Sequence, residues 1–412
     1  VTLTATATDA ATTEARMGAK GGGVAVAPAI AIVISAVTTL ARIGTGVLEA
    51  AGSVSITARQ HAAATTQATA AAIASTDAAV GVSLALTIAD HTVTAVLGRD
   101  TTAAGDVSLT ASSWSASSAL ATASAAGAPE NDQDAGSGDP ATEGGAAGTG
   151  VDQLVGGQRG YADSTATSYG AQPSGSTSTP SAKTSSGPVN VAAAIGIDIA
   201  TVRADALVEP QVGSIVAGGT FTLASSVNTD ASSGGDGSSS KGGDAAIGAG
   251  IAITYNSTVN RAVVPATLTV AAHALSVSAT QTVDGADDTS TVRAISSSGA
   301  GGGKISVAGS VALAISTFDT LAAVSGTVTL TGGAASIVAG SKVATTVKAL
   351  PAGEGVVATG DAGVGASFAL ALATNTTIAR IDDDVELTGA RDLTVAAGTI
   401  DETTTEASMG AK

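Results

Sequence analysis

Six times along this chain an aliphatic residue is followed, nine positions later, by Ala-x-(Ile/Val/Leu). Ile32 precedes Ala41–Ile43, Leu86 precedes Ala95–Leu97, and Ile197 precedes Ala206–Val208. Ile253 precedes Ala262–Val264, Leu313 precedes Ala322–Val324, and Leu370 precedes Ala379–Ile381. The six aliphatic residues are spaced by 54, 111, 56, 60 and 57 residues, one interval being about double the rest. Repetition on this scale restricts the fold to architectures that stack copies of one unit.

A second mark opens each unit: VTLTA at Val1, VSITA at Val54, VSLTA at Val107, FTLAS at Phe221, LSVSA at Leu275 and a weaker SIVAG at Ser336. LTVAA at Leu393 starts the next cycle. The repeats therefore run 1–53, 54–106, 107–220, 221–274, 275–335 and 336–392, with 393–412 beginning a further period. From opening mark to aliphatic residue the distance is 31, 32, 90, 32, 38 and 34 residues, so length varies in one part of the unit only. The third unit carries an insertion there, Gly127 to Gly187. Constant spacing is expected where strands pair in a ladder, since a one-residue slip turns every side chain over. Elastic spacing is expected in a surface loop, where added length costs little.

A longer period encloses the shorter one. Val1–Lys20 and Leu393–Lys412 share eleven of twenty residues at an offset of 392, including both methionines of the chain, Met17 and Met409. The chain reads as one long period plus the start of the next, a window on a tandem array.

Within each unit apolar residues alternate with period two. Ile305, Val307, Val311, Leu313 and Ile315 fall on one face, and the other face is mostly Ala, Gly, Ser or Thr. That is strand periodicity, and the β-branched content argues against an Ala-rich helix. The aliphatic face is expected to point inward. Polar segments such as ADHT, YNST and STFDT are expected to form corners, followed by a separate short Ala-x-aliphatic strand. The expected fold is all-β, a parallel β-solenoid of six repeats of about 55 residues, with one long inserted loop. A chain of immunoglobulin-like sandwiches would need units of about 100 residues and aromatic cores that this chain, at 2% aromatic, cannot supply.

Composition narrows the function. A net charge of −17 disfavours nucleic acid, whose binders need basic patches. Cysteine is absent, so in an exported protein stability would have to come from packing and hydrogen bonds. No signal peptide is visible, which fits a segment of a longer exported protein, and the longest apolar run, Val24–Val37, is too short and Ala-rich for a membrane span.

Candidate chemistry is sparse. Asp382, Asp383 and Asp384 form the densest acidic run and are the calcium candidates, against the plainer reading of a solvated turn. No other cofactor is expected. His61, His91 and His273 lack a second histidine at ligand spacing. The stretch Gly299–Ser306 hints at a phosphate loop but has Ser298 where the first glycine belongs and Ile305 after Lys304. Asn256 and Asn375 stand in Asn-x-Thr sequons. No Ser-His-Asp arrangement stands out, and no enzyme activity is expected. The insertion holds Tyr161 and Tyr169, two of the three tyrosines, and is expected to act as a lateral clamp on a neighbouring unit or protomer.

The stretch Ala373–Thr399 resembles the repeats of very large bacterial surface proteins, the haemagglutinin-like and autotransporter-like adhesins. The matching residues are Asn375, Thr376, Ala379, Ile381, Asp382, Val385, Gly389, Leu393, Val395 and Ala397. The resemblance implies a parallel β-solenoid outside a bacterial cell, in a structural or adhesive role without catalytic residues. The expected function is thus a rod or filament segment that associates with further copies of the repeat. The alternative is an adhesin stalk that presents the inserted loop to a cell-surface carbohydrate or a host surface.

Overall fold

Strands of twenty alternating residues leave long rows of backbone donors and acceptors, and only a neighbour of equal length satisfies them all. The computed structural model describes residues 1–74, 77–126, 187–240, 242–282, 287–358 and 360–411 and meets that demand with a parallel β-solenoid. The first coil is β1 (Thr2–Gly21), β2 (Val24–Ile43) and a short β3 (Val47–Ala50). The second repeats it as β4 (Val54–Ala74), β5 (Ala78–Leu97) and β6 (Asp100–Ala103). Next come β7 (Val107–Ala126), β8 (Gly187–Val208), β9 (Ser214–Ser240) and β10 (Gly242–Val264). The fifth coil divides its first strand into β11 (Thr269–Gln281) and β12 (Ser290–Gly301), then continues with β13 (Ile305–Val324) and β14 (Thr327–Leu330). The sixth is β15 (Ala334–Val357), β16 (Ala362–Ile381) and β17 (Leu387–Thr388), and β18 (Asp392–Ala407) opens a seventh.

Each coil therefore has two long sides and one short side. The leading sheet stacks β1, β4, β7, β9, β11 with β12, β15 and β18, and the return sheet stacks β2, β5, β8, β10, β13 and β16. The short side runs β3, β6, the first residues of β9 and β11, then β14 and β17. All these ladders are parallel.

The register follows the sequence marks. Ile32, Leu86, Ile197, Ile253, Leu313 and Leu370 form one column across the return sheet. Val54, Val107, Phe221 and Leu275 form one across the leading sheet. In the sixth coil that column passes through Ala335, which pairs with Leu275 and Leu393, so the weak mark begins one residue before Ser336.

The segments expected as corners are not corners. β2, β5, β10, β13 and β16 run unbroken through them to the Ala-x-aliphatic residues, and the true short side comes afterwards. Extra length in the fifth coil also falls inside the leading sheet, between β11 and β12, rather than at the turn from leading to return strand.

The aliphatic face of the return sheet points outward, against expectation. On β2, Ile30 and Ile34 are 63% and 70% exposed, whereas Ala27 is fully buried. Two different interiors explain this. Beside the short side, which props the long sheets apart, large residues fill a wedge: Ile56, Leu97, Leu109, Phe221, Leu223 and Leu275. Further along the coil the sheets close onto a layer of alanines, among them Ala27, Ala70, Ala121 and Ala194. Glycine permits the closest approach: a Cβ on Gly235 would collide with the carbonyl of Ile251, and one on Gly250 with that of Ser297. Ordinary stacked sheets sit ~10 Å apart with large side chains between them; here there is no room for them, and the larger face is left outside.

Candidate functional site

Polar residues within and outside the expected corners lie between the two sheets and tie them together. His91 of β5 meets Ser115 of β7 through Nδ1 at 2.7 Å and Ser35 of β2 through Nε2 at 3.1 Å. Burial pushes its pKa down to about 4, against smaller opposing effects of Asp9 and Asp90. Asp198 of β8 accepts a hydrogen bond from the Ser117 hydroxyl at 2.7 Å and from the Ser232 backbone N–H at 2.9 Å. Burial raises its pKa to about 8, only partly offset by those bonds, so at neutral pH the carboxyl keeps its proton. Thr87 donates to the Ser118 carbonyl at 2.6 Å, and Thr254 to that of Arg293 at 2.5 Å. Side-chain bonds to the facing backbone fix the two sheets in one lateral register, a task that a layer of alanine methyls leaves undone.

Other candidate residues are dispersed. Asp382 pairs with Arg380 at 2.6 Å and accepts from the Ser325 hydroxyl at 2.5 Å, while Asp383 and Asp384 are exposed in the turn after β16, Asp384 in the left-handed region at φ 61°. Among the described residues no group of three or more His, Cys, Asp or Glu side chains is placed to hold a metal ion. His61 stacks on Trp114 of the next coil, ring centroids 3.9 Å apart, and His273 Nδ1 lies 3.4 Å from the Thr331 hydroxyl. Lys304 of the glycine-rich turn pairs with Asp244 at 2.7 Å. Asn256 is fully buried between the sheets and donates to Thr258 at 3.1 Å, and Asn375 donates to Thr399 at 2.9 Å. Tyr161, Tyr169 and the expected clamp lie outside the described residues. Among the described residues no helix is long and apolar enough to cross a membrane.

The two ends of the stack are the feature the repeats did foreshadow. β1 and β2 at one end, and β16 and β18 at the other, each pair on one side only. The residues of β18, which repeat those of β1, pair with β15 from Asp392 opposite Ala334 to Ala407 opposite Ala349. The methionines show what this accomplishes. Met409 is partly buried against an apolar cluster that holds Val356 of the coil before it and Ala300 and Ala308 of the coil before that. Met17, its counterpart at the open end, is 46% exposed.

Comparison with protein-family models, with curated proteins and with solved structures finds no match.

Proposed function

We propose that this chain is a structural segment of a repetitive extracellular bacterial protein whose solenoid continues through successive 392-residue periods to form a rod or filament. One observation carries the reading: the second copy of the opening sequence takes the seventh place in the leading sheet and pairs with the sixth coil's leading strand as the earlier leading strands pair with one another. Long parallel edges that end in water are sites of further strand addition, and here the sequence itself supplies the next strand. The acidic composition and the likeness of Ala373–Thr399 to bacterial surface repeats support an extracellular setting. The stalk reading, with carbohydrate bound by the insertion, rests on residues outside those described.

A protein carrying two periods in tandem tests this. Six coils at ~4.8 Å per strand give ~29 Å per period, so X-ray scattering should show the stack lengthening by that amount with an unchanged cross-section. Two separate bodies joined by a linker would refute the proposal.

A further inference from the structure

Parallel sheets are almost always covered on both faces, yet the outer face of the return sheet is open and apolar. Five of its six columns from residue 24 to residue 34 contain only Val, Ile, Leu, Phe, Tyr or Ala, and none of the six carries a charge. The column of Ile30 runs through Leu84, Ile195, Ile251 and Val311 to Phe368. Exposure persists in the middle of the sheet, where Ile247 and Val311 are 39% and 38% open.

We propose that this panel binds the same panel of a second copy, so that two solenoids pair back to back. The proposal deepens the rod reading by assigning the lateral partner. Size supports it. Eleven residues at ~3.3 Å by six strands at ~4.8 Å make roughly 1,000 Å² per copy, and both copies together reach the upper part of the ~1,200–2,000 Å² range of stable interfaces.

Shape supports it as well. The column of Pro28 passes through Val82 and then through four small residues, Ala193, Ala249, Gly309 and Ala366, and lies beside the bulky Ile30 column. The six columns are centred between these two. A two-fold axis along the stacking direction at that line lays the panel on its own copy, groove against ridge, the Val24 column against the Ile34 column. Such an axis makes the contact isologous and repeats it with every period.

Charge selects this occupant over lipid. The chain carries −17, but the panel holds none of it. Charges stand at its borders: Lys304 pairs with Asp244 just before the Val24 column, Asp90 lies in the Ala36 column, and farther along Arg203 pairs with Asp205 and Arg261 with Asp319 within one copy. A polar rim around an uncharged centre is the anatomy of a protein interface. A membrane-binding face would instead carry a basic border and interfacial Trp and Tyr, and Tyr255 is the panel's only such residue.

The test uses the whole chain. Sedimentation equilibrium at micromolar concentration should give two chains per particle, and Ile195→Lys should weaken pairing by at least ~30-fold, the effect of losing an interface hot spot. Thr57→Lys, on the outer face of the leading sheet, should pair like the wild type. Circular dichroism checks folding; if Ile195→Lys does not fold, Ile34→Lys on the edge strand takes its place, and a single cysteine at Ala193 should cross-link between copies through a bismaleimide. A monomeric wild type, a folded lysine variant that still pairs, or flotation of the chain on phosphatidylcholine vesicles in place of pairing would each overturn the proposal. X-ray scattering separates it from the rod reading: particles that thicken without lengthening retain the panel contact and refute the array, and particles that lengthen without thickening do the reverse.

Discussion

The carbonyl oxygen of Gly234 in β9 lies where a side chain on Gly196 of β8 would have to begin, and the Ala119 carbonyl bounds the same space. Both obstacles are backbone atoms of the facing sheet. Gly196→Val should therefore force the sheets apart and cost 3 kcal/mol or more, at or above the upper end of the ~1–3 kcal/mol typical of overpacking. Urea denaturation of the folded chain measures it.

Asp198 gives stability a slope with pH. Its pKa is near 3.8 unfolded and about 8 in place. Below pH 4 both states hold the proton. Between pH 4 and 8 only the folded state holds it, so stability falls as pH rises, by about 1.4 kcal/mol per unit. Asp198→Asn removes the ionisable group and should flatten that slope, with its largest advantage over the wild type at pH 8.

His91 acts in the opposite sense. Its pKa falls from 6.5 to about 4 on burial. Above pH 6.5 both states are neutral there. As pH drops from 6.5 to 4 only the unfolded state gains the proton, and stability declines by about 3 kcal/mol in total. In that window His91 offsets only one of two buried carboxyls, Asp198 and Asp230, the latter pushed up to about 7 by burial, so the wild type should still lose stability as pH rises. His91→Gln should steepen that slope, and Asp198→Asn should bring it close to flat, in parallel denaturation series.

A pair of substitutions on β2 tests which face is inside. Ala29 is 4% exposed and faces the leading sheet; Ile34 faces water. In dilute protein, with copies apart, Ile34→Ala should change stability by no more than about 0.5 kcal/mol. Ala29→Leu should lose at least 1 kcal/mol to overpacking. The reverse order would mean that the sheet is turned over.

Peroxide should distinguish the two methionines. Met17 is open at the first coil and Met409 is covered by Val356 and its neighbours. Sulfoxide formation, followed by peptide mass spectrometry, should be faster at Met17. Joining a preceding period upstream should slow it to the rate of Met409.

Much of this architecture is legible in the sequence, and the exceptions have physical reasons. The columns through Ile32 and Ala41 hold in all six coils because parallel pairing admits no slip. The start of the sixth repeat is misplaced by one residue because Ala335, Ser336 and Val338 give the frame no bulky mark. Alternation states that two faces differ but not which is inside. Bulk suggested the Ile face, whereas closeness of the sheets, visible only in the glycine contacts, admits the Ala face. The polar residues looked like corners because segments such as Asp-His-Thr and Asn-Ser-Thr in a strand need partners, and some of these come from the opposite sheet: Ser115 for His91, Thr229 for Thr258. In the acidic run the first carboxylate, Asp382, is engaged by Arg380 and Ser325, while Asp383 and Asp384 are exposed.

The long sides of each coil, about twenty residues or ~66 Å, enclose only a thin alanine layer over much of their length. A body built this way has the proportions of a plank. Its resistance to flexing is low across the thin dimension and high across the broad one, so a filament made of it would curl readily in a single plane. Joining two planks flat to flat doubles that thin dimension and, with it, raises the weak stiffness several-fold.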